Sequence, residues 1–306
     1  MKNNFYDKFI IGGAQLGMAY GNKKKKLYLN QDEIKKIFIL GKKNKINKID
    51  TSQNYFNSEK NIGLLKKNLA KKIFIITKFN LQNFKNKRIT LYNFLKKKII
   101  HSTKKLKVNK IDVLLIHRVQ DLKKYKKDLI NALKQLKKNG YINEAGISIY
   151  TPTELTYSLK YSFLKNIQIP FNIADQRWLD KKLLKKIKEK KIKIYVRSIF
   201  LRGLLINNKN NFKNLKIFAK KIDLKLKDYL VKFKRNNKLE LCLAYVKSFN
   251  WISYFIIGFN SLREFREILR FFKTNKLKKK EVELVSKEMK ALKINKNILM
   301  PNLWKN

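Results

Sequence analysis

Asp50, Tyr55, Lys78 and His117 are the residue types that together pass a proton to a carbonyl oxygen. Each falls at the carboxyl end of a predicted strand or just beyond it. A phenol is a poor acid near neutral pH, with an ordinary pKa of about 10. A nearby ammonium stabilises the phenolate and turns a Tyr–Lys pair into a usable general acid. A carboxylate beside the lysine holds it charged and oriented, and an imidazole in the same site can align the carbonyl through a hydrogen bond. No side chain supplies hydride, so the set implies a nicotinamide cofactor. An isolated histidine is more often a satisfied core residue, and Lys78 is one lysine among very many. Their positions at strand ends, rather than their identities, carry the inference. His101, on a predicted helix among lysines, has no such support and reads as surface.

The elements that must bring these residues together alternate along the chain. Short β-branched runs occur at 9–13 (FIIGG), 46–50 (INKID), 72–77 (KIFIIT), 111–117 (IDVLLIH), 142–148 (INEAGIS), 166–170 (NIQIP), 193–198 (KIYVRS) and 253–258 (SYFIIG). The central ones are almost continuously apolar, as in strands covered on both faces of a parallel sheet. Between them lie helical spacings: Ile34, Ile37, Phe38 and Leu40 after the cap-like Asn30-Gln31-Asp32-Glu33, then Leu91, Phe94, Leu95 and Ile99, then Leu129, Ala132, Leu133 and Leu136. Asn139-Gly140 is a helix stop and Thr151-Pro152 a helix start. Eight strands with intervening helices predict an α/β fold, an eight-stranded parallel (β/α)8 barrel, in one domain over 1–306 with a final helix from about 277. In that fold, residues at the carboxyl ends of the strands share one mouth. An open doubly wound sheet would favour a Gly-x-Gly-x-x-Gly turn, and Gly12, Gly13, Gly17 and Gly21 do not have that spacing. The Asn/Lys-rich region 207–237 reads as a lysine-studded helix between loops, and Pro301–Trp304 as a tail folding back onto the barrel.

The chain carries 74 Lys+Arg against 21 Asp+Glu, a formal net charge of +53. Clustered cations would suggest a polyanion. Here they are spread over nearly every helix and loop, as in KKKK at 23–26, and Pro and Gly are few. That pattern reads as compositional drift, with attraction for small anions as a by-product. Cys242, the sole cysteine, excludes an intrachain disulfide and reads as a buried thiol in LELCLAYV. No segment approaches the ~20 apolar residues of a membrane span, and the N-terminal residues lack a signal-peptide pattern. A cytoplasmic setting is expected, with no metal site.

The ordered motifs GGAQLGMAYG, IDTSQNYFNSEKNIG, ITKF, IDVLLIHR, GYINEAGISIYT, IQIPFNIADQR, VRSIFLRGLL and FIIGFNSLREFREIL resemble those of the aldo/keto reductase family over nearly the whole chain. IDTSQNY with SEKNIG is the specific part, whereas IDVLLIH alone could match any buried strand. The resemblance implies an NAD(P)H-dependent barrel enzyme that reduces an aldehyde or ketone. Tyr55 would be proton donor, Lys78 its modulator, Asp50 the partner of Lys78, and His117 the residue orienting the carbonyl. It implies Ser148 and Gln168 at the nicotinamide carboxamide, Gly203 and Leu204 beside the pyrophosphate, and the loop from Gly258 through Arg263 near the adenosine phosphate. NADPH is the family's usual cofactor, with NADH left open because the last strand lacks the lysine that often grips the 2′-phosphate. Two further departures are Arg197, where many members stack an aromatic residue on the nicotinamide, and Ile149, where many have asparagine. VRSIFLRGLL resembles bacterial members tied to surface-sugar biosynthesis, so a sugar-derived, anionic carbonyl is the expected substrate.

Arg118 and Arg177 are candidates for an anionic substrate group or for structural ion pairs. Trp178 either lines the substrate pocket or caps the barrel. Two other function classes remain open at this point. One is a cofactor-binding barrel with a regulatory role. The other is a basic nucleic-acid-binding protein, whose binding would fall steeply with salt and survive loss of Tyr55.

Overall fold

The structure, a computed structural model, describes residues 5–18, 29–68, 72–84, 89–207 and 215–304. Gly21, the KKKK run at 23–26 and residues 208–214 of the Asn/Lys-rich region lie outside them. Eight parallel strands close into a barrel in sequence order: β1 Phe9–Gly12, β2 Lys48–Asp50, β3 Phe74–Phe79, β4 Ile111–Ile116, β5 Ile142–Ser148, β6 Asn166–Pro170, β7 Lys193–Arg197 and β8 Tyr254–Ile257. Six helices join the first seven strands: α1 Gln31–Lys43, α2 Ser58–Leu65, α3 Leu91–Leu106, α4 Val119–Lys138, α5 Pro152–Ser158 and α6 Lys181–Glu189. Two helices, α7 Lys216–Lys232 and α8 Lys238–Lys247, separate β7 from β8, and α9 Leu262–Phe272 and α10 Lys279–Ala291 follow. The predicted (β/α)8 barrel and its C-terminal helical extension are therefore present.

Local signals account for the element ends. Asn30 and Thr151 each accept a hydrogen bond from a backbone N–H in the first turn of the helix they cap, and α4 stops at Asn139 before Gly140, whose φ is +76°. The stripes facing the strands, such as Ile34, Ile37 and Phe38 on α1, are buried in the main core between strands and helices.

The two-residue period of the strands sorts their side chains to the inside or outside of the barrel. Ile10, Ile76, Val113, Leu115, Tyr195 and Ile256 form a separate apolar cluster, flanked by Phe74 and Tyr254. This is the barrel interior. Two residues further along the same strands, in the same phase, lie Gly12, Lys78, His117, Arg197 and Gly258. Paired registers add Asp50, opposite Ile76, and the couple Ser148–Gln168. One interior layer at the carboxyl ends thus holds most of the residues picked out by sequence.

Most strands are a residue or two shorter than expected, and only the third extends past its expected carboxyl end. The third strand runs to Phe79 and not Thr77, with Lys78 paired to Leu115 and Phe79 to Ile116. A lysine ends a sequence-based strand because a buried ammonium is costly, but here its charge is answered within the barrel and the strand continues through it. The tail folds back as expected. Pro301 is buried, and the indole of Trp304 donates to the carbonyls of Asn297 and Ile298 at 3.1 Å each.

The loop bearing Tyr55 is held by close backbone approach. A Cβ on Gly17 would lie 2.1 Å from the Ser58 nitrogen and 2.2 Å from the Tyr55 oxygen. Gly17→Ala is expected to displace this loop and destabilise the fold by about 1–3 kcal/mol, the usual range for overpacking. Urea unfolding of the variant checks it, and an unchanged midpoint would show that the loop gives way freely.

Candidate active site

Lys78 is the centre of the interior layer. Its side chain is 1% exposed, and Nζ donates to both Asp50 oxygens at 2.7 Å and to the Thr51 carbonyl at 2.8 Å. These three acceptors use all the donors of an ammonium. Asp50 Oδ1 also accepts from the Gln168 amide at 2.8 Å, and Gln168 Oε1 accepts from the Ser148 hydroxyl at 3.4 Å. Burial pulls the Lys78 pKa below its ordinary value, a shift opposed by Asp50 and reinforced by Arg197.

Tyr55 sits on the β2–α2 loop, turned by a hydrogen bond from its N–H to the Ser52 carbonyl at 3.0 Å. The Lys78 ammonium lies 5.1 Å from the centroid of its ring. The His117 ring meets the Tyr55 ring edge-on, with centroids 6.3 Å apart. His117 Nδ1 is 3.3 Å from the Ser52 hydroxyl. Burial first, then the charges of Lys78, Arg197 and Arg118, push the His117 pKa down to about 3, so its imidazole is neutral across the physiological range. All four sequence-picked residues therefore converge.

Behind them, Glu59 is buried and accepts from the Thr77 hydroxyl at 2.8 Å and the Ser102 hydroxyl at 3.1 Å. Ser52 and Glu59, both within the motif IDTSQNYFNSEKNIG, were not singled out by sequence. Their signal is that motif together with the scarcity of acids in the chain.

A cavity of about 830 Å³ opens beside this cluster. Asp50, Tyr55, Arg197 and the backbones of Gly12, Gly13 and Gly258 line its inner part. It passes Arg202 and Gly203 and reaches the start of α8 (Asn236–Leu239) and the N-terminal half of α9 with the loop before it (Asn260, Glu264, Glu267). The Arg197 guanidinium carbon lies over Tyr150, 4.3 Å from the ring centroid, and the side chain donates to the Ile149 carbonyl at 3.2 Å.

The remaining candidates are distributed unevenly around this cavity. Trp178 is 1% exposed, donates to Asp175 at 3.2 Å and packs in the core, so it caps the barrel and does not line the cavity. Arg177 is taken by the same carboxylate, at 2.8 and 2.7 Å. Leu204 turns into the core while its neighbour Gly203 lines the cavity. Arg263, the second residue of α9, is exposed and outside the cavity lining. Ser148 and Gln168 lie in the same interior layer but likewise outside the lining. Arg118 precedes α4, part-exposed, and reaches the site through its charge on His117. The outer wall, from Asn236 to Glu267, was missed because it belongs to helix starts far from the motif that marks the catalytic cluster.

A closed (β/α)8 barrel with its ionisable cluster at the carboxyl ends of the strands belongs to the class whose active sites occupy that face. The aldo/keto reductase family model matches residues 8–288, and the chain belongs to this family. It is thus an oxidoreductase of carbonyl compounds. Among solved structures it is similar to an aldo-keto reductase of Bacillus halodurans in its holo form, at 21% identity over 92% of this chain and 91% of that one, with a TM-score of 0.69. It is also similar to the glycerol dehydrogenase of Gluconobacter oxydans, at 18% identity over 93% and 91%, TM-score 0.69. No curated protein matches the chain. Among the described residues there is no helix long and apolar enough to cross a membrane and no group of three residues fit to hold a metal ion. Cys242 is fully buried, and burial raises its thiol pKa to about 12.

Two outcomes follow from this geometry. Asp50→Ala leaves a buried ammonium unmatched and is expected to cost about 3–5 kcal/mol. Lys78→Met should cost a similar amount, and the double variant clearly less than the sum; additive losses in urea unfolding would deny the coupling. Separately, the folded protein holds the His117 proton far less tightly than an unfolded chain, whose histidine titrates near 6.5. Its contribution is complete above pH 6.5 and is lost as pH falls toward 3, by about 2 kcal/mol at pH 5. His117→Gln is expected to flatten that part of the stability–pH curve, and a curve of unchanged shape would rule the histidine out as its source.

Proposed function

We propose that this protein reduces a small aldehyde or ketone with a nicotinamide dinucleotide, Tyr55 giving the proton. The observation that carries the reading is the placing of the Lys78 ammonium, fully paired and buried, against the ring of Tyr55. The cavity suits a dinucleotide: its volume lies in the upper part of the ~300–1,000 Å³ range of ligand sites. Its inner surface is glycine backbone, and at Gly203, with φ at +87°, a Cβ would project into open space.

Gly12, Gly13, Gly203 and Gly258 are the positions where a flat cofactor can approach the main chain. Arg202 and the start of α8 offer positive charge to its pyrophosphate. Ser148 and Gln168 are assigned to the carboxamide end. When bound, the nicotinamide supplies the hydride.

The proton comes from the Tyr55 hydroxyl, and Lys78 stabilises the phenolate left behind. His117, neutral, cannot serve as that acid at neutral pH. In the tautomer that accepts from Ser52 at Nδ1, it carries its proton on Nε2 and can donate a hydrogen bond to the carbonyl oxygen. Asp50 and Gln168 keep the lysine in place. Arg197 and Arg118 make the mouth cationic, which supports an anionic, sugar-derived carbonyl substrate and agrees with the chain's overall positive field. The cytoplasm is the compartment this reading assigns.

Tyr55→Phe is expected to lower turnover of test aldehydes by roughly 10²–10⁴-fold, the usual worth of a positioned acid. Dinucleotide binding, followed by protein fluorescence, should persist. Turnover equal to that of the unaltered protein would sink the proposal. Binding of both dinucleotides with no reduction of any carbonyl would favour a regulatory barrel instead.

A further inference from the structure

The connection between β7 and β8 holds two α-helices where each other crossover holds one. Helix α8 takes the inner place, with every residue from Leu239 to Val246 buried. Helix α7 packs over α8 and is tied to α10, where Lys225 and Tyr229 donate to Glu288 at 2.8 and 3.0 Å. It is an additional, outer helix, and it is apolar on two sides. Ile222, Leu226 and Tyr229 are buried, whereas Ile217, Leu224 and Val231 are 71%, 57% and 80% exposed. Seven residues make almost two full turns, so the exposed three form one row about 21 Å long, opposite the buried set. A lone exposed aliphatic needs no explanation. A row at this spacing is the stripe of an amphipathic helix, turned outward.

The charge beside the row is positive. Lys220 and Lys221, both exposed, fall on either side of it. The two acids of the helix are already committed: Asp223 is ion-paired with Lys227 and Lys238, and Asp228 with Lys232. Neither Lys220 nor Lys221 forms an ion pair among the described residues. Both keep their charge for whatever covers the row.

We infer that the outer face of α7 seats the protein on an anionic lipid surface. The three aliphatic side chains enter the boundary between headgroups and acyl chains, and the flanking lysines place their ammonium groups among the lipid phosphates. The row stands on an outer helix and lines neither of the two main cavities. It offers no hollow in which a protein partner's side chains could be read, and a bilayer needs none. A second copy of the chain would set lysine against lysine, with the acids already paired, in a molecule of net charge +53. That charge alone attracts any polyanion and is weakened by salt. The row adds an apolar contact that salt does not screen, and this separates docking from general adhesion.

The test is flotation of the full chain with vesicles of pure phosphatidylcholine, and with vesicles of equal parts phosphatidylglycerol and phosphatidylcholine, at about 0.15 M salt. Binding to the anionic vesicles is expected, with little to the neutral ones. The triple variant Ile217→Ser, Leu224→Ser, Val231→Ser keeps the net charge and is expected to bind about tenfold more weakly or worse. Equal binding by the triple variant would mean adhesion by charge alone and overturns the inference, as does equal binding to both kinds of vesicle. A second readout places the contact. Leu224→Cys can be labelled with a polarity-sensitive maleimide dye, because Cys242 is fully buried. The dye's emission should shift to the blue on anionic vesicles, and an unmoved spectrum with the protein bound puts the contact elsewhere. Dimers in light scattering that the triple variant abolishes would assign the row to a second copy instead. None of these results bears on the reductase reading.

Discussion

Two opposite charges held out of water set the terms for everything around them. The ammonium of Lys78 and the carboxylate of Asp50 are each costly to bury and tolerable only together, with every remaining donor and acceptor answered. The barrel provides these answers from four strands or their loops: Thr51 from the loop after β2, Gln168 from β6, Ser148 behind it on β5, and β3 itself carrying the lysine. No single strand–helix unit could do this. Closing the sheet is what brings β2 and β6, far apart in sequence, to one carboxylate. The function therefore depends on the barrel's completeness more than on any one element.

The same burial separates the tasks of two groups that would otherwise compete. Desolvation lowers the pKa of both Lys78 and His117, but only the lysine has a carboxylate in contact to oppose the shift. The histidine faces Lys78, Arg197 and Arg118 and stays neutral. One group is thus a held charge and the other an uncharged donor. Environments that push titratable groups apart are how sites of this kind assign their roles. The scarcity of acids makes the pattern visible. The few that are buried, such as Asp50, Glu59, Asp121, Asp175 and Glu240, each receive donors from hydroxyls, backbone N–H groups, amides or cations.

Strand order, the barrel and the convergence of Asp50, Tyr55, Lys78 and His117 were legible because each leaves a local mark: an apolar run, a turn, or a rare residue at a strand end. The alternation of side chains then places Lys78, His117 and Arg197 in one layer without further information. The end of β3 was not legible, because whether a lysine ends a strand depends on a carboxylate on another strand. The directions of the Trp178, Leu204 and Arg263 side chains were not legible for a related reason. Adjacent residues in a tight turn or at a helix start point in different directions, so Gly203 faces the cavity while Leu204 faces the core. The wall formed by Asn236, Asn237, Glu264 and Glu267 joins two helix starts whose approach only the folded chain reveals.

The barrel interior explains why the site opens on one side. Beneath the catalytic layer, Ile10, Ile76, Val113, Leu115 and Ile256 fill the bore. Tyr195 shares this cluster and brings a polar atom to it: its hydroxyl donates to Asn166 at 2.9 Å, and its ring stacks on Tyr254 with centroids 4.9 Å apart. The apolar layer separates Lys78 from water at the lower end, so its charge must be met by protein groups or from the mouth. If that layer were hydrated, the ammonium would be solvated from below and its attraction for Asp50 would weaken. The close pairing of Lys78 with Asp50 thus rests on a plug of apolar side chains beneath it.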